Sequence, residues 1–431
     1  MKRMFLLSLL TCVVLMISVG VLQASDWPQF RGPGGRGVSD ETKLPSQWDE
    51  TTNLKWKIPL PGPGSSSPIV YGDKLYITCY SGYGTEKATS ASVNDLKRHL
   101  LCVNPDTGAT LWSKAIPSTN PEDSWRGYIR EHGYASSTPV CDGQRVYVFF
   151  GKTGALAFDL KGQEIWRKSL GTDSSNRRWG SAASPILVDD LLIVNASEES
   201  RTLYALDKHT GEEKWKVESD KTELTYGTPA LADLANGQQE VVIAVPNEIW
   251  GFNPKTGECT WWAHTELAGN ISPSMLAVKD VVYAFGGYPR IGSVAIRAGG
   301  QQDVTEKHTL WTSSDSSYVP SPVEHDGHLY WVSDMGLAYC MEADTGKVLY
   351  KEKLKAKGSK SFYASVALAD GKLYAPSRSS GTFVLAAKPA FELIALNTFD
   401  SDTSDFNGSP AISKGKVFLR SNEFLYCIAA D

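Results

Sequence analysis

The chain has 431 residues, 42% of them hydrophobic and 21% charged, with 38 glycines, 22 prolines and 13 tryptophans. Its length exceeds the ~100 to 200 residues of one ordinary domain, so it holds two or three domains or a repeat architecture, and its apolar content excludes disordered and collagen-like chains. The formal charge of −5 is spread without a basic block, which excludes nucleic acid as a partner, because phosphates demand clustered Lys and Arg.

Met1-Lys2-Arg3 precedes an apolar run from Met4 to Leu22 and then Ala24. Residues 1–24 read as a secretory signal peptide, with a transmembrane anchor as the alternative. Thr11 precedes Cys12 where a lipoprotein signal prefers Gly or Ala, so lipidation is disfavoured. Loss of Lys2 and Arg3 leaves 41 basic against 48 acidic side chains, a mature formal charge of −7. No membrane span remains after cleavage, and a periplasmic or secreted monomer is expected. Residues 25–52 form an N-terminal arm. Within it, Gly32-Pro33-Gly34-Gly35-Arg36-Gly37 satisfies G-x-G-x-x-G, but no strand precedes it and no helix follows, so it reads as extended chain and not as a dinucleotide loop. Deleting the arm through Glu41 is expected to be mild.

From residue 53 to 431 the chain repeats. A Ser/Thr-Pro step, an apolar run, a turn and a second apolar run occur at Ser67-Pro68, Thr138-Pro139, Ser184-Pro185, Thr228-Pro229, Ser272-Pro273, Ser321-Pro322 and Ser409-Pro410, with Ser365-Val366 in the remaining place. Successive steps are 71, 46, 44, 44, 49, 44 and 44 residues apart, which makes eight units. Turns such as Cys141-Asp142-Gly143-Gln144 and His325-Asp326-Gly327-His328 join the apolar runs as hairpins. No helical period competes. The prediction is an all-β chain: an eight-bladed propeller of four-stranded antiparallel blades, each opening on a strand whose Pro faces the channel edge. The last unit lacks an outer strand and Leu54-Lys55-Trp56-Lys57-Ile58 supplies one, so the N-terminal strand joins and closes the last blade. The long first spacing is absorbed by loops at Ser81 to Lys97 and Pro117 to Arg130.

Ala205 to Trp215 reads A-x-D-x-x-T-G-x-x-x-W. Close variants end at Trp112, Trp166, Trp261 and Tyr350, and irregular units end at Trp311 and Phe399; Trp56 serves the eighth blade. This pattern resembles the tryptophan-docking motif of the pyrroloquinoline quinone (PQQ) propeller repeat, the quinoprotein alcohol dehydrogenase-like fold, over nearly the whole mature chain. These eight aromatics are the expected structural docking residues. Cys102, Cys340 and Cys427 share one repeat position, which argues for packing, and none of the six mature cysteines is adjacent to another or in a C-x-x-C pair, so zinc loses its signature.

Residues just before the Ser/Thr-Pro steps should converge at the channel mouth. They name His132, Tyr134, Arg178, Trp179, Tyr226, Asn270, Tyr318, Tyr363 and Asn407 as a ligand site, where aromatic platforms join directional polar groups; a structural plug of the channel is the alternative. Arg178 should face solvent, pair with an acid such as Glu131 or meet an anionic ligand, which favours an acidic or hydroxylated ligand over an apolar one. His325 and His328 with Glu324 fall short of a zinc site, and Asp400 to Asp405 lacks the glycine and distant glutamate of a calcium loop. No metal and no catalytic residue is assigned. The resemblance implies two precedents. Quinoprotein dehydrogenases hold PQQ and calcium on the axis, marked by adjacent cysteines that this chain lacks, whereas the outer-membrane assembly factor BamB is a non-enzymatic exported propeller. The expectation is therefore a non-catalytic binding or scaffolding module without a cofactor, with a protein or a polar small-molecule or glycan ligand. A PQQ- and calcium-dependent oxidoreductase acting on an alcohol or sugar is the alternative.

Overall fold

The computed structural model describes residues 26–85, 88, 90–357 and 361–430. The expected signal segment, residues 1–24, lies outside them. The described residues form eight sheets. Blade one shows the pattern: Ile69–Tyr71, Lys74–Ser81, Lys97–Val103 and Thr110–Pro117, consecutive and antiparallel. The last blade takes Ala411–Ser413, Lys416–Arg420 and Phe424–Ile428 from the C-terminus and Leu54–Pro59 from the N-terminus, with Trp56 opposite Cys427. The ring closes as its sequence predicts, with the N-terminal strand covering the outer edge of Phe424–Ile428.

Alternating side chains explain the core. The second and third strands of a blade bury residues on both faces because the blade packs against two neighbours, so Ile69, Tyr76 and Leu100 of blade one meet Val146, Val148 and Phe158 of blade two. The docking aromatics join blades at the outer rim. Indole Nε1 of Trp56, Trp112, Trp166, Trp215 and Trp311 donates to a carbonyl in the next blade's turn, at Pro105, Leu160, Lys208, Pro254 and Ala343 respectively, over 2.8–3.2 Å. Each ring lies on a turn glycine, as Trp166 does on Gly211, where a Cβ would come within 2.7 Å of the indole. That contact requires glycine twice over, because its φ is +76°. Trp261 departs from the pattern: it donates to Glu240 in its own blade over 2.6 Å. Blade five offers no Thr-Gly turn to receive it. Tyr350 packs edge-on against Phe391, and Phe399 stacks on Tyr426.

At the inner rim the eight steps form a closed belt. The backbone N–H of Ser67 donates to the hydroxyl of Thr138, Thr138 to Ser184, Ser184 to Thr228, and so on around to Ser409, whose N–H donates back to Ser67, every bond 2.9–3.0 Å. The belt corrects one register. Blade five contributes Ser274, not Ser272. Its inner strand, Leu276–Val278, starts two residues late, and an even shift preserves the face that each residue presents. The 49-residue spacing beyond it holds an inserted strand, Gln302–Asp303, parallel to Cys259–His264, and a short helix, Thr305–His308.

The arm also differs from its expected dispensability. Trp27 pairs with Val70 through two 2.8 Å backbone bonds and is fully buried. Phe30 reaches the channel axis, Arg31 is buried beside it, and the chain then returns through Gly37 to pair with Leu368. Gly32 is needed because a Cβ there would stand 2.5 Å from the Trp27 ring.

Candidate functional site

The strand-to-strand connections that precede the inner strands meet at one face, opposite the arm. The connection from blade one to blade two is the longest, and a turn of helix, α1 (Ile129–His132), ends it at Gly133, φ +74°. That left-handed residue sends its neighbours apart. His132 turns to the channel, whereas Tyr134 packs against Tyr80 and Tyr83 and donates its hydroxyl to the Asp123 carbonyl at 2.7 Å. Tyr134 therefore leaves the expected site.

Under the face lies a cavity of about 160 Å³ on the axis. Its walls carry Tyr128, Trp179, Tyr226, Tyr318 and Tyr363, its floor is Phe30 and the serine belt, and Glu131, His132, Ser136 and Asn407 supply further polar groups. Six of the nine residues named from sequence are thus brought together: His132, Trp179, Tyr226, Tyr318, Tyr363 and Asn407. Asn270 stands behind the wall, its amide Nδ2 3.2 Å from both Ser272 Oγ and Tyr318 Oη. Arg178 is 60% exposed, with Asp123 its nearest acid at 3.8 Å; a left-handed turn, φ +55°, turns it away from the cavity. Its expected partner Glu131 binds Arg378 instead.

Two contributors were not foreseen. Tyr128 occupies the middle of the mouth, its ring 4.5 Å from Trp179 and 6.3 Å from Tyr318. The signal for it was the 71-residue first spacing, whose surplus chain carries an aromatic cluster. Arg378, in a loop of blade seven, bonds Glu131 Oε2 at 2.8 Å through Nη1 and Asp405 through Nη2, and its guanidinium covers the Tyr363 ring at 4.6 Å. Burial works to lower its pKa, but Asp405 and Glu131 outweigh that and raise it. Nothing in the repeat pattern marks Arg378, because it lies between the second and third strands of its blade and not before a step.

The loop bearing Trp179 rests on buried acids. His132 Nε2 bonds the Trp179 carbonyl at 2.8 Å; a carbonyl only accepts, so Nε2 carries the proton and Nδ1 accepts from Ser136 Oγ at 2.5 Å. Burial lowers the His132 pKa and keeps the ring neutral. Ser174 Oγ donates to Asp123, itself 3.0 Å from Lys152 Nζ. A second helical turn, α2 (Ser197–Ser200), supplies Glu198, which takes the Tyr226 hydroxyl at 2.7 Å, and Glu199, which takes Ser181 Oγ. Burial pushes Glu198 up and Glu199 to about 8. Glu199 Oε2 has no partner among the described residues.

PQQ would need cations for its carboxylates, and calcium would need free oxygen ligands. Glu131, Asn407 and Asp405 are donor types that suit calcium, but Arg378 stands between the two carboxylates and satisfies both. No Lys or Arg lines the cavity to receive the three carboxylates of PQQ, and no group of three or more His, Cys, Asp or Glu able to hold a metal occurs among the described residues. The residues do not fit that pair.

A model of the PQQ repeat family described as "Outer membrane protein assembly factor BamB" matches residues 96–351 and 302–404, well over half of the chain. The chain belongs to this PQQ-like propeller family. Among solved structures, BamB from Moraxella catarrhalis superposes with a TM-score of 0.61 at 12% identity, covering 87% of this chain and 97% of its own. The quinohemoprotein alcohol dehydrogenase from Comamonas testosteroni gives 0.58 at 11%, covering 94% and 81%. The computationally designed Ika8 protein gives 0.55 at 11%, covering 86% and 98%. At these identities the likeness is one of fold. No curated protein matches the sequence.

Proposed function

We propose that this family member is an exported, non-catalytic binding or scaffolding propeller that engages a protein or a small polar ligand at the mouth of its channel. One observation carries the reading. Five aromatic rings contributed by different inter-blade connections face one concave site, while the groups that could serve calcium and quinone chemistry are tied up by Arg378. The N-terminal apolar run supports export, and no described helix is long and apolar enough to cross a membrane.

Peptide and glycan arrays probed with the wild type and with a Trp179→Ala, Tyr318→Ala double variant test the reading. The double variant should keep its fold by circular dichroism and lose the array signal. Undiminished signal would move the site to the blade rims or to the loop before Lys97.

A further inference from the structure

The cavity at the mouth has an electrostatic signature that narrows its ligand. Arg378 is the sole cation of an ion triplet with Glu131 and Asp405. One guanidinium against two carboxylates leaves a negative charge over, and Glu131 places it on the cavity wall. Among the described residues no Lys or Arg lines the cavity, and its histidine is held neutral by burial. The exposed rim residues Arg177 and Arg178 lie outside the lining.

The unfilled hydrogen-bonding groups point the same way. Asn407 Nδ2 donates to the Glu131 carbonyl at 3.1 Å, which fixes the amide orientation and leaves Oδ1 as a buried acceptor without a donor among the described residues. The Tyr363 hydroxyl is buried and also unpartnered among the described residues. A buried acceptor calls for an N–H or O–H. Aromatic faces, negative at their centres, hold cations, and two rings of this wall already do: Tyr363 under Arg378 at 4.6 Å and Trp179 under Arg177 at 5.6 Å. Phe30 closes the far end, so whatever enters must be short or enter by one end only.

We infer that the cavity receives a primary ammonium group on an apolar stem, either a free alkylamine or a lysine side chain of a docking protein; this rests on the binding reading above. A quaternary ammonium would satisfy the rings and the charge but leave the acceptors empty. A neutral sugar would satisfy the acceptors but not the charge.

Titration calorimetry at pH 7.5 with n-butylammonium, 1-butanol, tetramethylammonium and methyl glucoside tests the class. Butylammonium should bind at least tenfold more tightly than the other three. Glu131→Gln removes the surplus charge while leaving the Arg378 to Asp405 pair, and should weaken butylammonium about tenfold with 1-butanol unchanged. Should that variant fail to fold, Tyr363→Phe deletes one acceptor and should weaken butylammonium severalfold. Acetyl-Gly-Lys-Gly-amide against its norleucine counterpart separates the sources: preference for the lysine peptide over butylammonium assigns the site to a protein, the reverse to a free amine. Tighter binding of methyl glucoside or tetramethylammonium, or no binding of butylammonium, overturns the inference. Loss of array signal in the Trp179, Tyr318 variant would still uphold the mouth as the site in that case.

Discussion

The two ends of the channel start from the same eight inner strands and finish as opposites. At one end the N-terminal arm seals the axis: Trp27 is fully buried, Phe30 fills the centre, and Arg31 is 2% exposed with Nε and Nη1 unpartnered among the described residues. At the other end Tyr128 and four wall aromatics leave a cavity, and its polar groups are held in place by long-range pairs such as Arg378 with Glu131. A repeat specifies only what every copy contains. What distinguishes the ends comes from chain that no other unit carries, the arm below and the long first connection above.

The largest way to break this comparison is to remove the chain that makes the ends. Deletion of residues 26–58 takes away the outer strand of the last blade and the Trp56 link to Pro105, exposing a strand edge, so cooperative unfolding should be lost. Deletion of residues 26–41 leaves the blades complete but removes Trp27. The loss should be at least the ~3 to 5 kcal/mol of a large core truncation, and the upper cavity loses its Phe30 floor. Chemical denaturation of both truncations checks this. Equal stability would refute both the closure and the role of the arm.

A smaller effect separates the ends by pH. Glu199, beneath the mouth, has its folded pKa raised to about 8 by burial, so between the unfolded value near 4.5 and that figure the folded state holds a proton that the unfolded state has released. Stability contributed by this group therefore falls as pH rises through that window and is flat above it. Glu199→Gln should be nearly neutral below pH 4.5 and stabilising by on the order of a few kcal/mol at pH 8. Urea denaturation at pH 5 and pH 8 reads the difference. A variant no more stable than the wild type at pH 8 would show that Glu199 is solvated or paired after all.

The two ends were also unequally legible. The Ser/Thr-Pro step stands in seven of the eight units and the docking motif recurs around the ring, so repetition let the architecture be read directly, and the one spare strand at Trp56 gave the closure. Placement at the mouth followed where a residue's own connection faced inward, as with Trp179, Tyr226, Tyr318, Tyr363 and Asn407. It failed where one backbone dihedral decided the direction, at Gly133 for Tyr134 and at the turn holding Arg178. The slip from Ser272 to Ser274 has the same origin, since a proline step is a good marker of an inner strand but the belt needs a hydroxyl at one height. Arg378 and Arg31 had no local signature. Both matter through partners more than 200 residues away, Glu131 for one and Pro322 for the other.

The smallest expected effect is a null one. It sharpens what the upper end is for. Calcium could reach Glu131 and Asp405 only by displacing Arg378, whose guanidinium bonds both, and exchanging that partner for an ion leaves a half-buried arginine unpaired, which is unfavourable. PQQ would then meet a wall of aromatic and hydroxyl groups with no cation for its carboxylates. Incubation with PQQ and calcium should therefore give no reduction of an artificial electron acceptor by ethanol or glucose. Calcium-dependent turnover would mean that Arg378 swings out of the triplet on loading, and the mouth would have to be read as a redox site that its resting geometry conceals.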